Sequence, residues 1–242
     1  MSQQEKQPQK EKTVPKQSEK KTFSEKLADF ISANRVLIIG IGIAIVVAIV
    51  AVGVYTSVSG NIASSSSRAM DLADQKLQTW AQETDAQKKA DEETALVAEL
   101  DSVAKKWPGT VAAQRALLRK AAILSQKKDY AEAEKVALDA YARNKKSYVA
   151  PIALELAATA SEEGGNADMA LTHLTQITKE FAKDNPIASH AYFNIGRLQE
   201  SKQDYKSAAV SYNEVISAYG GSDWAMLAKN RVIYLKSQGL ID

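Results

Sequence analysis

Residues 187–219 read IASHAYFNIGRLQESKQDYKSAAVSYNEVISAY. Apolar residues recur at helical intervals on both sides of a polar turn around Asp204-Tyr205. Ala188, Ala191, Ile195 and Leu198 share one face, and Ala208, Tyr212 and Val215 share another. The stretch is therefore a helix hairpin. Its small residues mark where two helices approach closely, and its aromatic residues fill the wider gaps.

Working outward, the same hairpin recurs. Pairs of alanines three apart stand at Ala113 and Ala116, Ala150 and Ala153, Ala188 and Ala191, and Ala225 and Ala228, in steps of 37, 38 and 37 residues. Ten residues after each first Ala comes Ile123, Ala160, Leu198 or Leu235. A second set, Ala133, Ala170 and Ala208, is followed four residues on by Ala137, Leu174 and Tyr212. Seven residues on come Ala140, Ile177 and Val215, and eleven on come Asn144, Phe181 and Tyr219. One step back, Leu96, Leu100, Val103 and Trp107 occupy these offsets, with a first helix around Met70, Ala73, Leu77 and Trp80. Trp107-Pro108-Gly109, Asn185-Pro186 and Gly220-Gly221 fall at junctions, where helices stop, and Ser222 or Asp223 suits an N-cap. Asp129-Tyr130, Asp204-Tyr205 and the segment 162–166 mark the turns inside units. A helix pair cannot bury its apolar face alone, so such units stack into a solenoid.

The unit Ala191-Tyr192-Phe193-Asn194-Ile195-Gly196, then Asp204-Tyr205, Ala208, Tyr212 and Val215, resembles the tetratricopeptide repeat. The period departs from that family's 34 residues, and Ala121, Ala158 and Ile233 stand where its first-helix Gly is expected. The resemblance spans roughly residues 70–238. It implies an all-α right-handed superhelix of about four helix pairs plus a capping helix over residues 68–242. Its concave face, lined by first helices, would bind proteins or extended peptides. By that resemblance the partner-binding positions are Arg115, Arg119, Glu155, Thr159, His190, Asn194, Arg197, Asn230 and Tyr234. Arg and Asn suit a peptide backbone or carboxylate, although several of these positions also read as ordinary solvent-facing helix residues.

The chain ahead of the repeats has a different chemistry. Residues 1–22 are dominated by Lys, Glu, Gln and Pro with almost no aliphatic side chain, the composition of a disordered tail. Residues 23–35 follow a Thr22/Glu25 capping-box spacing and place Phe23, Leu27, Phe30 and Ile31 on one face, an amphipathic helix for a membrane surface. Residues 36–55, VLIIGIGIAIVVAIVAVGVY, carry no charge. As a helix they span about 30 Å, the thickness of the bilayer hydrocarbon, so residues 36–56 read as a transmembrane helix. A cleaved signal peptide fits less well, because the polar segment before the stretch is long and the apolar run exceeds a signal core. Gly40, Ala44 and Ala48 lie four apart, which permits close helix–helix packing, although membrane helices are rich in such residues generally. Residues 57–67 read as a flexible Ser-rich linker.

Residues 1–35 carry eight Lys and Arg, whereas residues 56–75 carry only Arg68. The N-terminus is therefore expected on the cytoplasmic side, with the repeats exported. The order of segments is similar to the YfgM-type ancillary subunit of the bacterial Sec translocon. That resemblance implies a bacterial inner-membrane protein with a periplasmic domain, whose partners are the translocon or periplasmic chaperones. An envelope-assembly or cell-division scaffold, and a homo-oligomer joined through the anchor or through Tyr234, Leu235, Leu240 and Ile241, are the other readings.

Nothing in the sequence points to catalysis, a metal or a cofactor. Cys is absent and His occurs only at 173 and 190. Gly40-Ile41-Gly42 lies inside the apolar run, and Ser102 and Lys105 have S-x-x-K spacing within a helix without supporting motifs. Acidic pairs such as Glu162-Glu163 read as solvated surface. With 31 Lys+Arg against 29 Asp+Glu among 242 residues, there is no basic field for nucleic acid.

Overall fold

A computed structural model describes residues 22–181 and 186–242; the tail expected over residues 1–22, Thr22 apart, and the junction residue Asn185 lie outside them. Among the described residues there are ten helices and no strand. They are α1 (Phe23–Ala33), α2 (Arg35–Gln82), α3 (Ala86–Lys106), α4 (Val111–Gln126), α5 (Tyr130–Arg143), α6 (Val149–Glu163), α7 (Ala167–Phe181), α8 (Ile187–Ser201), α9 (Tyr205–Ala218) and α10 (Asp223–Ser237). The chain divides into two units, residues 1–57 and 58–242.

In the first unit the capping box forms in full. Glu25 N–H donates to Thr22 Oγ1 at 3.4 Å, and Thr22 N–H donates to Glu25 Oε2 at 2.8 Å. Asn34 ends α1, its side-chain amide donating to the Phe30 carbonyl at 2.9 Å. Phe23, Leu27, Phe30 and Ile31 are all exposed. No residue over 36–55 is buried by protein, and α2 is long and apolar enough there to cross a membrane. A soluble protein's core helix of that composition is covered by its neighbours; this one is not.

The second unit stacks hairpins in chain order. The portion of α2 within it shares a core with α3: Met70, Ala73 and Trp80 are buried with Leu96, Leu100 and Val103, and the Trp80 indole donates to the Lys89 carbonyl at 3.1 Å. The pairs α4/α5, α6/α7 and α8/α9 follow, and α10 packs on α9 and α8. First helices also touch one another, α4 on α6, α6 on α8 and α8 on α10, forming one layer. The repeated alanines sit where the backbones meet: Ala113, Ala150, Ala188 and Ala225, with Ala133, Ala170 and Ala208, are fully buried. Small side chains there let helices approach closely enough for larger neighbours to interdigitate. Gly196 is the tightest case, because a Cβ on it would lie 2.7 Å from the Tyr212 ring.

Two expectations are corrected. Residues 57–67 are helical within α2 rather than a flexible linker. Ser66 is buried and begins the face that continues through Met70, Ala73, Leu77 and Trp80. The Ser66 hydroxyl turns back onto the helix, donating to the Ala63 carbonyl at 3.1 Å, and packing overrides the weak helix propensity of a Ser run. Leu235 is fully buried in the core formed by α9 and α10, and Ile241 is half-buried against it, so Leu235 offers no outward contact.

The turns inside the three complete hairpins from α4 to α9 share one geometry. Lys128, Gly165 and Gln203 adopt positive φ (63°, 84° and 63°). The next residue's N–H donates back to the carbonyl of Leu124, Ser161 or Gln199 at 2.9, 2.8 and 2.9 Å. That residue, Asp129, Asn166 or Asp204, then accepts from the first turn of the second helix. This is a left-handed helix stop followed at once by an N-cap. Only Gly165 of the three is free of the Cβ penalty of the left-handed region. Lys128→Gly and Gln203→Gly are each expected to raise stability by about 0.5–1 kcal/mol, read as a higher unfolding midpoint in denaturant. No change at either position would show that the turn carries no strain.

Candidate functional site

The outward face of the first helices carries the polar side chains. At its start, Asp74 on α2 receives two arginines of α4: Arg115 Nη2 at 2.5 Å and Arg119 Nε at 3.0 Å. Arg115 Nη1 also lies 3.7 Å from Asp71.

A longer chain of contacts joins α6, α8 and α10. Arg197 holds Glu162 in a two-pronged pair, with both N···O distances 2.6 Å. Its Nε donates to Asn194 Oδ1 at 3.1 Å, and the Asn194 amide reaches His190 Nε2 at 2.8 Å. His190 Nδ1 bonds Glu155. With Nε2 accepting from Asn194, the ring proton sits on Nδ1 and is donated to Glu155, a tautomer assigned from the network. The imidazole stacks on Trp224 of α10, with ring centroids 4.1 Å apart. Arg197 donates to the Glu162 carboxyl and holds its pKa below the usual carboxylate value, while Glu162 raises that of the guanidinium. Beside this chain, Glu200 accepts from Tyr212 Oη at 2.9 Å and from Arg231. The Arg231 guanidinium lies 4.7 Å over the Tyr234 ring.

The structure thus brings Arg115 together with Arg119, and Glu155 with His190, Asn194 and Arg197. Thr159 is exposed one turn beyond Glu155, its hydroxyl donating to the Glu155 carbonyl at 3.0 Å. Asn230 and Tyr234 are exposed on α10. Among the described residues no hydrogen bond links the Asp74 group to the Glu155 group. Gly40, Ala44 and Ala48 lie on the exposed stretch of α2, with nothing within 4 Å of a Cβ built on Gly40.

Glu162, read from sequence as solvated surface, instead chelates Arg197, and His190 is stacked rather than free. Asp74, Glu200, Arg231 and Trp224 were also not singled out from sequence. A signal for the acids existed: Glu155 precedes His190 by 35 residues, and Glu162 precedes Arg197 by 35. In each case a carboxylate meets its hydrogen-bonding partner close to one repeat further on. The second helices use the same device, Glu134 meeting buried His173 at 2.8 Å and Glu180 meeting Tyr141 Oη at 2.6 Å. Among the described residues no cluster of three or more His, Asp or Glu side chains is arranged to hold a metal.

Chemically, the face consists of arginines already neutralised by the protein's own carboxylates. An incoming anion must displace an internal partner to reach one. The arrangement suits contacts through side-chain amides, hydroxyls and ring faces better than simple charge attraction.

Stacked hairpins with close-packed alanines and a continuous first-helix layer define a helical-repeat scaffold, a class whose extended surfaces bind other proteins. Residues 28–215 match the family model described as "Tetratricopeptide repeat-like domain", and this chain belongs to that family. A protein of Treponema pallidum (strain Nichols), named "TPR repeat-containing protein", is 28% identical over 148 residues, which is 61% of either chain. The alignment thus spans less than two thirds of that relative's length. The family match begins before the apolar stretch of α2 and ends before α10.

Proposed function

We propose that this protein is a single-pass scaffold of the bacterial inner membrane, with a cytoplasmic N-terminus and its repeat domain on the outer side. There it serves the Sec translocon or the hand-off of exported chains to periplasmic chaperones. One observation carries the reading: a stretch of 20 uncharged residues, covered by no protein, directly precedes the repeats inside the same family match. The Lys and Arg excess before the stretch supports the orientation. The order of tail, amphipathic α1, anchor and repeats supports the role. α1, with Phe23, Leu27, Phe30 and Ile31 unpacked, lies along the cytoplasmic leaflet. The anchor keeps the repeat domain at the membrane where exported chains emerge, and this effective concentration compensates for weak individual contacts.

The test is in-cell photocrosslinking with a benzophenone side chain at Arg119, Thr159 or Asn194 of the full chain. Adducts with translocon subunits, periplasmic chaperones or emerging exported chains are expected. Added protease is expected to digest the repeat domain in spheroplasts. Adducts confined to other classes of envelope protein, or a domain protected until the cells are lysed, would overturn the proposal.

A further inference from the structure

The repeat register exposes a second surface, on α10. Met226 occupies the position held in earlier first helices by Gln114, Pro151 and Ser189, and Ile233 the position held by Ala121, Ala158 and Gly196. All six of those residues are buried. Contacts show what covers this side: Gln114 reaches carbonyls at the end of α5, and Gly196 lies under Tyr212 of α9. It is the side on which each first helix receives its own second helix. On α10 the equivalents stand open, Met226 at 60% and Ile233 at 65% exposure. Between and beyond them, Lys229 and Lys236 replace the series Leu117, Leu154, Tyr192 and the series Leu124, Ser161, Gln199.

Two features decide what fits. First, Ile233 closes the slot that small residues leave in the other units. A Cβ alone at Gly196 would come within 2.7 Å of the Tyr212 ring, so a helix seated on α10 rides over Ile233 at an ordinary side-chain separation and does not copy α9. Second, the charge is uncompensated. Arg115, Arg119, Arg197 and Arg231 on the first-helix face each hold a carboxylate, whereas Lys229 and Lys236 form no ion pair among the described residues. A second copy docked two-fold with Met226 against Ile233 sets Lys236 opposite Asp223 but leaves the two Lys229 side by side without an acid, whereas a helix flanked by acids pairs both lysines.

We infer that α10 is a docking face for an amphipathic helix of another protein, one whose apolar stripe is flanked by Asp or Glu. Met226 and Ile233, one heptad apart, insert into its apolar stripe, and Lys229 and Lys236 pair with its acids. This surface is distinct from the first-helix face, and α10 lies outside the residues matched to the family model, so the inference stands or falls separately from the proposed function.

The experiment places a benzophenone side chain at Met226 or at Ile233 of the full chain in intact cells, with adduct sites mapped by peptide mass spectrometry. Adducts are expected on a segment with apolar residues at i, i+3, i+4 and i+7 and acidic neighbours. Lys229→Glu with Lys236→Glu is expected to cut the yield roughly tenfold, and Lys229→Arg with Lys236→Arg to preserve it. All four replacements are at exposed positions, and an unchanged thermal unfolding midpoint confirms folding. Adducts joining two copies of this chain, adducts on segments without acidic residues, yields insensitive to charge reversal, or no adduct at all would each overturn the inference.

Discussion

Tyr212→Ala is expected to lower the stability of the repeat domain by about 3–5 kcal/mol, the range for truncating a large buried aromatic side chain. The ring is fully buried. It lies against Gly196, where a Cβ would come within 2.7 Å of it, and 5.5 Å from the Phe193 ring. Helices flank it, and neither α8 nor α9 can move inward without separating Ala191 or Ala208 from its neighbours, so the vacated space persists as a cavity. The hydroxyl adds less. Burial, and then donation to Glu200, push the phenol pKa far above its ordinary value, so the group stays a neutral donor throughout the working range. Tyr212→Phe is expected to cost only about 1 kcal/mol, because Glu200 keeps Arg231 as a partner. Gly196→Ala should be costly for the opposite reason, overpacking against the same ring, at about 1–3 kcal/mol. In the double variant the two losses should not add, since removing the ring removes the clash. Denaturant unfolding followed by tryptophan fluorescence measures all four variants. Additive losses, or a Tyr212→Ala loss below about 1 kcal/mol, would show that the ring is not the wedge between α8 and α9.

Gln114→Leu is the second large effect, about 3 kcal/mol, and its origin is polar. The Gln114 side chain is fully buried and fully used. Its amide donates to the Ala140 carbonyl at 2.8 Å and to the Asn144 carbonyl at 3.0 Å, while its carbonyl accepts from Ser147 Oγ at 2.6 Å. One side chain thus ties α4 to the end of α5 and to the turn that launches α6. Leucine fills a similar volume but leaves the buried Ala140 carbonyl, and the part-buried Asn144 carbonyl and Ser147 hydroxyl, without this partner. Hydrogen exchange at Ser147 and Val149 should rise along with the loss of stability. Val149 N–H donates to Ser147 Oγ at 3.2 Å, so the α6 entry loosens with the network. A stability loss without faster local exchange would mean that packing, not this network, carries the cost.

These two sites differ in how visible they were. Gly196 was legible as one of the small residues, with Ala121 and Ala158, that hold one register position every 37 or 38 residues, and Tyr212, whose register equivalents are Ala137 and Leu174, as the second aromatic of the unit that resembles the tetratricopeptide repeat. Gln114 was not legible, because its register equivalents are Pro151, Ser189 and Met226, which share neither chemistry nor partners. The candidate first-helix positions were placed by register on helices that do adjoin one another. Their electrostatic state was hidden: Arg197 read alone is a free guanidinium, and only the stacking of α6 against α8 brings Glu162 beneath it.

The serine run teaches the same point from the other side. Residues 57–67 have linker composition, yet Ser66 begins the buried face of α2. Local composition records a preference of tenths of a kcal/mol per residue, and a packed face outweighs it.

The amino-acid sequence by itself determined the helical hairpins, their period, the alanine contacts and the uncharged stretch, because these depend on side-chain size and polarity repeated along the chain. Tertiary structure alone decided which charges cancel, how far α2 extends and which side of α10 stays open, because each depends on which residues distant in the chain come within a few ångströms of one another.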